Sequence, residues 1–361
     1  MEVILLMYLN EILDLKEGNK LEVEEWLGKD NQLGIDIWEK KYRYNNESFD
    51  EWLNRISGGN KDVEKLIVDK KFLFGGRILA SRGTVSKDRK TTYSNCYVLA
   101  PPEDNIESIF DTAKKLARTY SYGGGVGIDI GRLSPKGATI HNAAKETSGS
   151  VSFMDLYSFV TGLIGQSGRR GALMISIPCN HPDLLDFIGI KDDLDKVTKA
   201  NISIRVTDEF MSAVKLDKPY TLSFTREETG ETIEKVVNAK EIFRKIAEAN
   251  WRMAEPGVLF WDRINNWNLL TYDDEFEYAG TNPCGEEPLP EFGACLLGSI
   301  NLSEFINSNK DFDFDSLKEA VKIAVIALNE VLDENIPLHP LEEQRKSARD
   351  WRQIGLTYWV N

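Results

Sequence analysis

The sequence predicts an α/β protein built on a parallel sheet or barrel, preceded by a small helical domain. Three observations carry this expectation. From residue 200 onward, short strand-like runs (Ile202–Val206, Tyr220–Phe224, Val258–Trp261) alternate with helical segments such as Lys240–Ala254, as in sheets joined by helical crossovers. Residues 1–75 are charged, with apolar positions at helical spacing. Between the two regions, Gly75-Gly76-Arg77 opens a new segment.

The bulk numbers agree with a globular chain. Its 361 residues suffice for one large domain or two ordinary ones, and 42% hydrophobic with 28% charged residues is a soluble composition. A net charge of −14 argues against a broad nucleic-acid-binding surface, yet leaves room for a local anion pocket. The early apolar run Val3–Leu9 is too short for a membrane span or a signal peptide. The expectation is a cytoplasmic protein with neither membrane nor nucleic acid as partner. Four cysteines (Cys96, Cys179, Cys284, Cys295) are too few for a disulfide scaffold, and three histidines never stand at metal-ligand spacing.

Taken in order, Trp26, Trp38, Trp52 and Phe72 are the packing anchors of the first region, and Val63, Leu66 and Ile67 share one helical face. Tyr93–Leu99 alternates like a short strand. A helix follows over Ile106–Tyr120, with Ile109, Phe110, Ala113, Leu116 and Ala117 on its buried stripe. Asp104 and Glu107 have capping-box spacing, so helix capping is the plainest reading of Asp104. The cluster Gly123–Gly127 runs into a strand and admits close backbone approach to a ligand; alone it is a weak signal. Residues 150–164 form a helix apolar on nearly every side, suited to a central position or a subunit contact. The loop Gly165–Gly171 that follows is polar, glycine-rich and basic, and leads into the strand Leu173–Ile177. A hairpin over Thr221–Val237 turns at Thr229-Gly230, and a helix over Ser316–Leu332 carries Leu317, Ala320, Val321, Ala324, Leu328 and Val331 on one face.

The most informative stretch is 281–301. It sets Asn282, Cys284 and Glu286 at alternate positions, and Cys295 eleven residues after Cys284. In an extended segment alternate side chains share a side, so amide, thiol and carboxylate can converge on one small substrate. Pro283, Pro288, Pro290, Gly285 and Gly293 favour a rigid loop over a helix.

Ser94-Asn95-Cys96, the Gly123–Gly127 cluster, Gly168-Arg169-Arg170-Gly171, Asn282-Pro283-Cys284-Gly285-Glu286 and Cys295-x-x-Gly-Ser-Ile-Asn-Leu, in this order, resemble the catalytic subunit of ribonucleotide reductase. The match runs from about Phe72 to Leu356. The resemblance implies a ten-stranded α/β barrel of two antiparallel five-stranded halves with a finger loop threaded through it. Residues 1–75 would be the helical domain, and 76–361 the first half-barrel with the effector loops and finger loop.

It also implies roles. Cys284 at the finger tip would carry a thiyl radical and abstract the ribose 3′ hydrogen. Glu286 would be the general base on the 3′-hydroxyl, in an apolar barrel interior that raises its pKa. Asn282 would hold the ribose hydroxyls, and Cys96 and Cys295 would supply two electrons by closing a disulfide. Ser94, Asn95, Gly123 and Gly124 would line the substrate. Asp104, Arg132, Lys136, Gln166, Arg169 and Arg170 would bind a dNTP or ATP effector, and the 151–164 helix would make a homodimer. The Asn-Pro-Cys-Gly-Glu wording is similar to that of adenosylcobalamin-dependent members, the alternative being a radical from a separate metal-containing subunit. A thioredoxin-like reductant completes the implied partners of a ribonucleoside diphosphate or triphosphate reductase that supplies deoxynucleotides for DNA synthesis.

The family's second half-barrel has no counterpart in these residues, so the expectation is that another chain, or a continuation, supplies it. Without it the site would be wet and the chain inactive; a deoxynucleotide-binding dimerisation module is the alternative reading. Cys179, in Pro178-Cys179-Asn180-His181, matches no catalytic position of the family and is expected to be a packed core thiol.

Overall fold

The computed structural model describes residues 22–140, 144–166, 169–307 and 309–360; the apolar run Val3–Leu9 lies outside them. The chain forms two compact units. The first takes the described residues of Met1–Tyr93, Leu297–Leu332 and Ile354–Asn361, and the second takes Ser94–Leu296 and Asp333–Gln353.

The first unit opens with short helices at Val23–Leu27, Gln32–Ile37, Phe49–Ser57 and Lys61–Val68. Helix 49–57 starts where Ser48 accepts the Glu51 N–H and Glu51 returns the bond, and stops at Gly58 with φ +67°. Trp26, Trp38 and Trp52 close around Phe49 with ring centroids 5.2–6.2 Å apart, so three of the expected anchors form one aromatic core, whereas Phe72 packs edge-on against Phe74. Arg55 pairs with Glu47 at 2.6 Å and donates to the Arg82 carbonyl at 2.6 Å, tying helix 49–57 to the segment beyond helix Gly76–Ser81.

The second unit carries the expected half-barrel. Strands β1 (Cys96–Val98), β2 (Gly125–Asp129), β3 (Leu173–Pro178), β4 (Asn201–Val206) and β5 (Gly257–Phe260) lie side by side in that order, all parallel. The residues of β1 to β4 are mostly buried on both faces, with Val126, Ile175 and Ile204 at 0% exposure, so these segments read as nearly continuous apolar runs, while in β5 at the sheet edge only Leu259 is buried. Helices Ile106–Ser121, Met154–Leu163, Asp208–Leu216 and Ala239–Met253 supply crossovers and cover. The short strands β6 (Gly280–Thr281) and β7 (Pro288–Leu289) form a small hairpin, and β8 (Ala294–Asn301) then runs antiparallel to β1. The far end of β8 belongs to the first unit, where Gly298–Ile300 pair with Phe74–Phe72, and strand Ile354–Trp359 also pairs with β8.

Several local expectations need correction. Phe110 is 54% exposed; the buried stripe of helix 106–121 continues through Thr112, Thr119 and Tyr120 instead. Asn105, not Asp104, caps this helix by accepting the Ser108 N–H at 2.8 Å, because Asp104 is taken by partners distant in sequence. The 150–164 segment opens as a 3₁₀ turn and becomes α-helical at Met154; Met154, Tyr157 and Thr161 are buried, while Phe159 and Leu163 face outward. Trp261 begins a helix rather than ending a strand.

Candidate active site

The hairpin of β6 and β7 presents its tip through a tight turn. The Gly285 N–H donates to the Asn282 carbonyl at 3.0 Å, Pro283 presets the turn, and Gly285 takes φ +83°. The hairpin lies against β2 at a point only glycine allows: a Cβ on Gly127 would stand 1.7 Å from the Thr281 carbonyl oxygen. On β4, Asn201 donates through Nδ2 to the Pro283 carbonyl at 2.8 Å and fixes the turn laterally.

Asn282 is fully buried and works in two directions. Its Oδ1 accepts the Glu287 N–H at 3.0 Å, and its Nδ2 donates to Cys96 Sγ at 3.2 Å. Cys96 in β1 stands directly opposite Cys295 in β8. Directly opposed residues of an antiparallel pair point to the same face with Cβ atoms about 4.5–5.5 Å apart, close to disulfide reach. Both thiols are free and buried. Burial first, and then the Glu286 carboxylate, pushes the Cys96 thiol up to about 12, against the opposing bond from Asn282. Burial first and Glu287 next hold Cys295 well above the usual thiol range.

Cys284 and Glu286 do not share that environment. Both are exposed, so the alternate residues of the loop divide into a buried amide and an exposed thiol and carboxylate. Partial desolvation first, then the Glu286 charge, raises the Cys284 thiol. The desolvation expected at Glu286 falls on its neighbour: burial lifts Glu287 above the ordinary carboxylate range, with the Glu286 charge adding to it. Glu287 carried no signal in the sequence beyond its position.

The residues expected to touch substrate have structural duties in this chain. Ser94 Oγ accepts from Asn335 Nδ2 at 2.9 Å; Asn335 Nδ2 lies 3.3 Å from His339 Nε2, and His339 Nδ1 lies 3.1 Å from the Tyr97 hydroxyl. This buried chain of polar groups flanks Cys96 on both sides in sequence, and burial lowers His339 to about 4, keeping it neutral. The Asn95 carbonyl accepts the Gly125 N–H at 2.7 Å. Gly123, with φ +94°, ends helix 106–121 as its N–H and that of Gly124 bond back to Tyr120 and Thr119; a Cβ on Gly124 would meet the Tyr97 ring.

The effector candidates lie elsewhere in this unit. Asp104 accepts from the Ser134 N–H at 2.8 Å, from its hydroxyl, and from Arg226 Nε at 3.1 Å; Arg226, which sequence reasoning missed, is 6% exposed. Asp104 and Arg132 line one cavity of about 810 Å³ together with Phe224 and Glu228. Arg132 pairs there with Glu103 at 2.7 Å. Lys136 is exposed, its N–H donating to Asp183 at 2.9 Å. Gln166 and Arg169 oppose each other in a two-residue ladder, as do Gly165 and Arg170. Cys179, the thiol read as packed, is 1% exposed and 3.5 Å from the Tyr220 hydroxyl.

The sequence family described as "Ribonucleotide reductase, barrel domain" matches residues 94–358. A vitamin B12-dependent ribonucleoside-diphosphate reductase of Thermoplasma acidophilum is 36% identical over 356 residues, 94% of this chain and 45% of the relative. The similarly named protein of Mycobacterium tuberculosis is 36% identical over 73% of this chain and 37% of its own length, and a vitamin B12-dependent ribonucleotide reductase of Streptomyces coelicolor is 32% identical over 73% and 30%. The chain thus spans less than half the length of these relatives. With five parallel strands, a hairpin against Gly127 and Cys96 opposite Cys295, the chain belongs to the ribonucleotide reductase barrel-domain family.

Proposed function

We propose that this chain carries the thiol half of a ribonucleotide reductase active site and reduces ribonucleotides to 2′-deoxyribonucleotides together with polypeptide corresponding to the remaining length of its relatives. The observation that carries this reading is the register of Cys96 against Cys295, with Asn282 of the hairpin bonded to one of them. In this reading Cys96 and Cys295 give two electrons and become a disulfide while the 2′-hydroxyl departs as water. Cys284 takes the 3′ hydrogen atom, Glu286 holds the 3′-hydroxyl proton, and Asn282 orients the hydroxyls from a side chain already fixed at both ends.

The names of the relatives support adenosylcobalamin as cofactor. The fit on this chain is the exposure of Cys284, which leaves its sulfur open to a bulky group. When bound, that cofactor supplies a radical equivalent; Cys284 is the residue of this chain we assign toward it. The exposed Phe159 and Leu163, four residues apart on helix 154–163, support a subunit contact there, and the Asp104–Arg132 cavity supports the effector reading.

The test is ribonucleotide turnover with adenosylcobalamin and dithiothreitol, on the chain alone and on the chain with the C-terminal portion of the Thermoplasma acidophilum relative. Deoxyribonucleotide formed only in the supplemented reaction, and lost in Cys284→Ser, is the expected result. Nucleotide binding without turnover in either would reduce the reading to a nucleotide-binding module.

A further inference from the structure

The turn from Asn282 to Glu287 touches both cysteines of the pair, one at each end. Asn282 Nδ2 donates to Cys96 Sγ at 3.2 Å, and the Glu287 carboxylate lies beside the Cys295 thiol and helps hold its proton on, while that thiol donates to the Leu296 carbonyl at 3.5 Å. The two ends are locked together: the Glu287 N–H donates to Asn282 Oδ1 at 3.0 Å, and the Asn282 N–H to the Glu287 carbonyl at 3.2 Å. Movement of the turn therefore moves an amide on one thiol and a carboxyl on the other.

Cys295 is 0% exposed. A thiolate formed there would lie away from water, and among the described residues the titratable groups acting on Glu287 and Cys295 are Glu286, Cys96 and Tyr278, none of them a cation. A thiolate of high pKa is also a slow leaving group in disulfide exchange. An uncompensated buried charge is costly, so opening a disulfide at this site calls for a proton delivered as the sulfur–sulfur bond breaks.

We propose that Glu287 is a catalytic proton donor to Cys295 when a Cys96–Cys295 disulfide is opened by an external dithiol. The inference rests on the reading of the two cysteines as a redox pair. An external thiolate attacks Cys96 Sγ, the less buried sulfur; the sulfur–sulfur bond breaks, its electron pair goes to Cys295 Sγ, and the Glu287 carboxyl proton follows it. The second thiol of the reductant, deprotonated by solvent, then displaces Cys96, which takes a proton from solvent. The reductant leaves as a disulfide, both cysteines are thiols, and solvent reprotonates Glu287. Burial holds Glu287 above the ordinary carboxylate range, which enlarges its protonated fraction towards neutral pH.

The experiment uses the full chain with Cys179→Ser and Cys284→Ser, oxidised and mapped for the Cys96–Cys295 disulfide. Reduction by dithiothreitol is followed from about pH 5 to about pH 9, with the rate expressed per reductant thiolate. The expected rate falls as Glu287 deprotonates, by about a hundredfold, the low end of general-acid assistance. Glu287→Gln removes the slope and stays at the high-pH level, while Glu287→Asp restores a slope with a displaced midpoint. An unchanged slope in Glu287→Gln overturns the assignment. Should Glu287→Gln not fold, the other two chains decide: a flat parent profile, or identical midpoints in parent and Glu287→Asp, overturns it. A chain that forms no Cys96–Cys295 disulfide overturns both this inference and the redox-pair reading. Because no nucleotide enters the assay, a lost slope with an intact disulfide leaves the proposed ribonucleotide chemistry standing.

Discussion

Asn282 Nδ2 donates to Cys96 Sγ across 186 residues of sequence, at 3.2 Å and in full burial. This bond joins the finger hairpin to the first strand of the half-barrel. Replacing Asn282 by Ala strands the Glu287 N–H and removes the donor that opposes the rise of the Cys96 pKa. The expected loss is about 1–3 kcal/mol, the cost of leaving a buried polar group unpaired. Urea unfolding of Asn282→Ala against the parent chain measures it, and a loss under a few tenths would show the strut to be idle.

Gly127→Ala tests the close approach. The added Cβ would lie 1.7 Å from the Thr281 carbonyl, so the hairpin must lift from β2. Overpacking of this kind costs about 1–3 kcal/mol and sometimes more. Gly280→Ala, whose Cβ would meet only Val98 Cγ1 at an ordinary 3.5 Å, serves as the contrast. Thermal unfolding should separate the two variants clearly; equal midpoints would refute the steric argument.

Cys96 makes stability fall at alkaline pH. Its thiol titrates near 9 when unfolded and at about 12 in the fold, so between those values the folded chain holds more protons than the unfolded one. The contribution is complete below 9 and is lost as pH rises through that window, by about 1.4 kcal/mol per pH unit at most. Urea midpoints measured at rising alkaline pH should drop less steeply in Cys96→Ser than in the parent.

His339 acts at the other end of the scale. Burial lowers it from 6.5 to about 4, so between these values the unfolded chain binds the extra proton. Its contribution is present above 6.5 and disappears as pH falls towards 4. His339→Asn should flatten that part of the stability profile, at a cost near neutral pH from the lost bond to the Tyr97 hydroxyl. A parent profile flat over this range would show that His339 is not held neutral.

Alkylation distinguishes the thiols directly. Cys284 is exposed, whereas Cys96, Cys179 and Cys295 are buried. Iodoacetamide on the folded chain should label Cys284 first and the other three only as the chain unfolds, as read by peptide mapping. Early labelling of Cys295 would contradict the register of β8 on β1.

The sequence by itself determined the elements whose signals are local. Alternation of strands and helices announced the parallel sheet, although Tyr220–Phe224 pairs only within its own hairpin; Pro283 and Gly285 announced a turn, and the motifs from Ser94-Asn95-Cys96 to Cys295-x-x-Gly-Ser-Ile-Asn-Leu, in their order, announced the family. Helix 239–253 and the hairpin turning near Gly230 fall within a residue or two of where periodicity and turn chemistry put them. Tertiary structure decided what depends on distant partners. Asp104 has the spacing of a helix cap, yet Ser134 and Arg226, 30 and 122 residues away, hold it instead. Glu286 and Glu287 are adjacent and chemically identical, and only packing decides which is desolvated. Cys96 and Cys295 become partners solely through strand register, and Gly127 turned out to serve the hairpin backbone that crosses it. Burial and long-range pairing are set by the whole chain, so no short window of residues carries them.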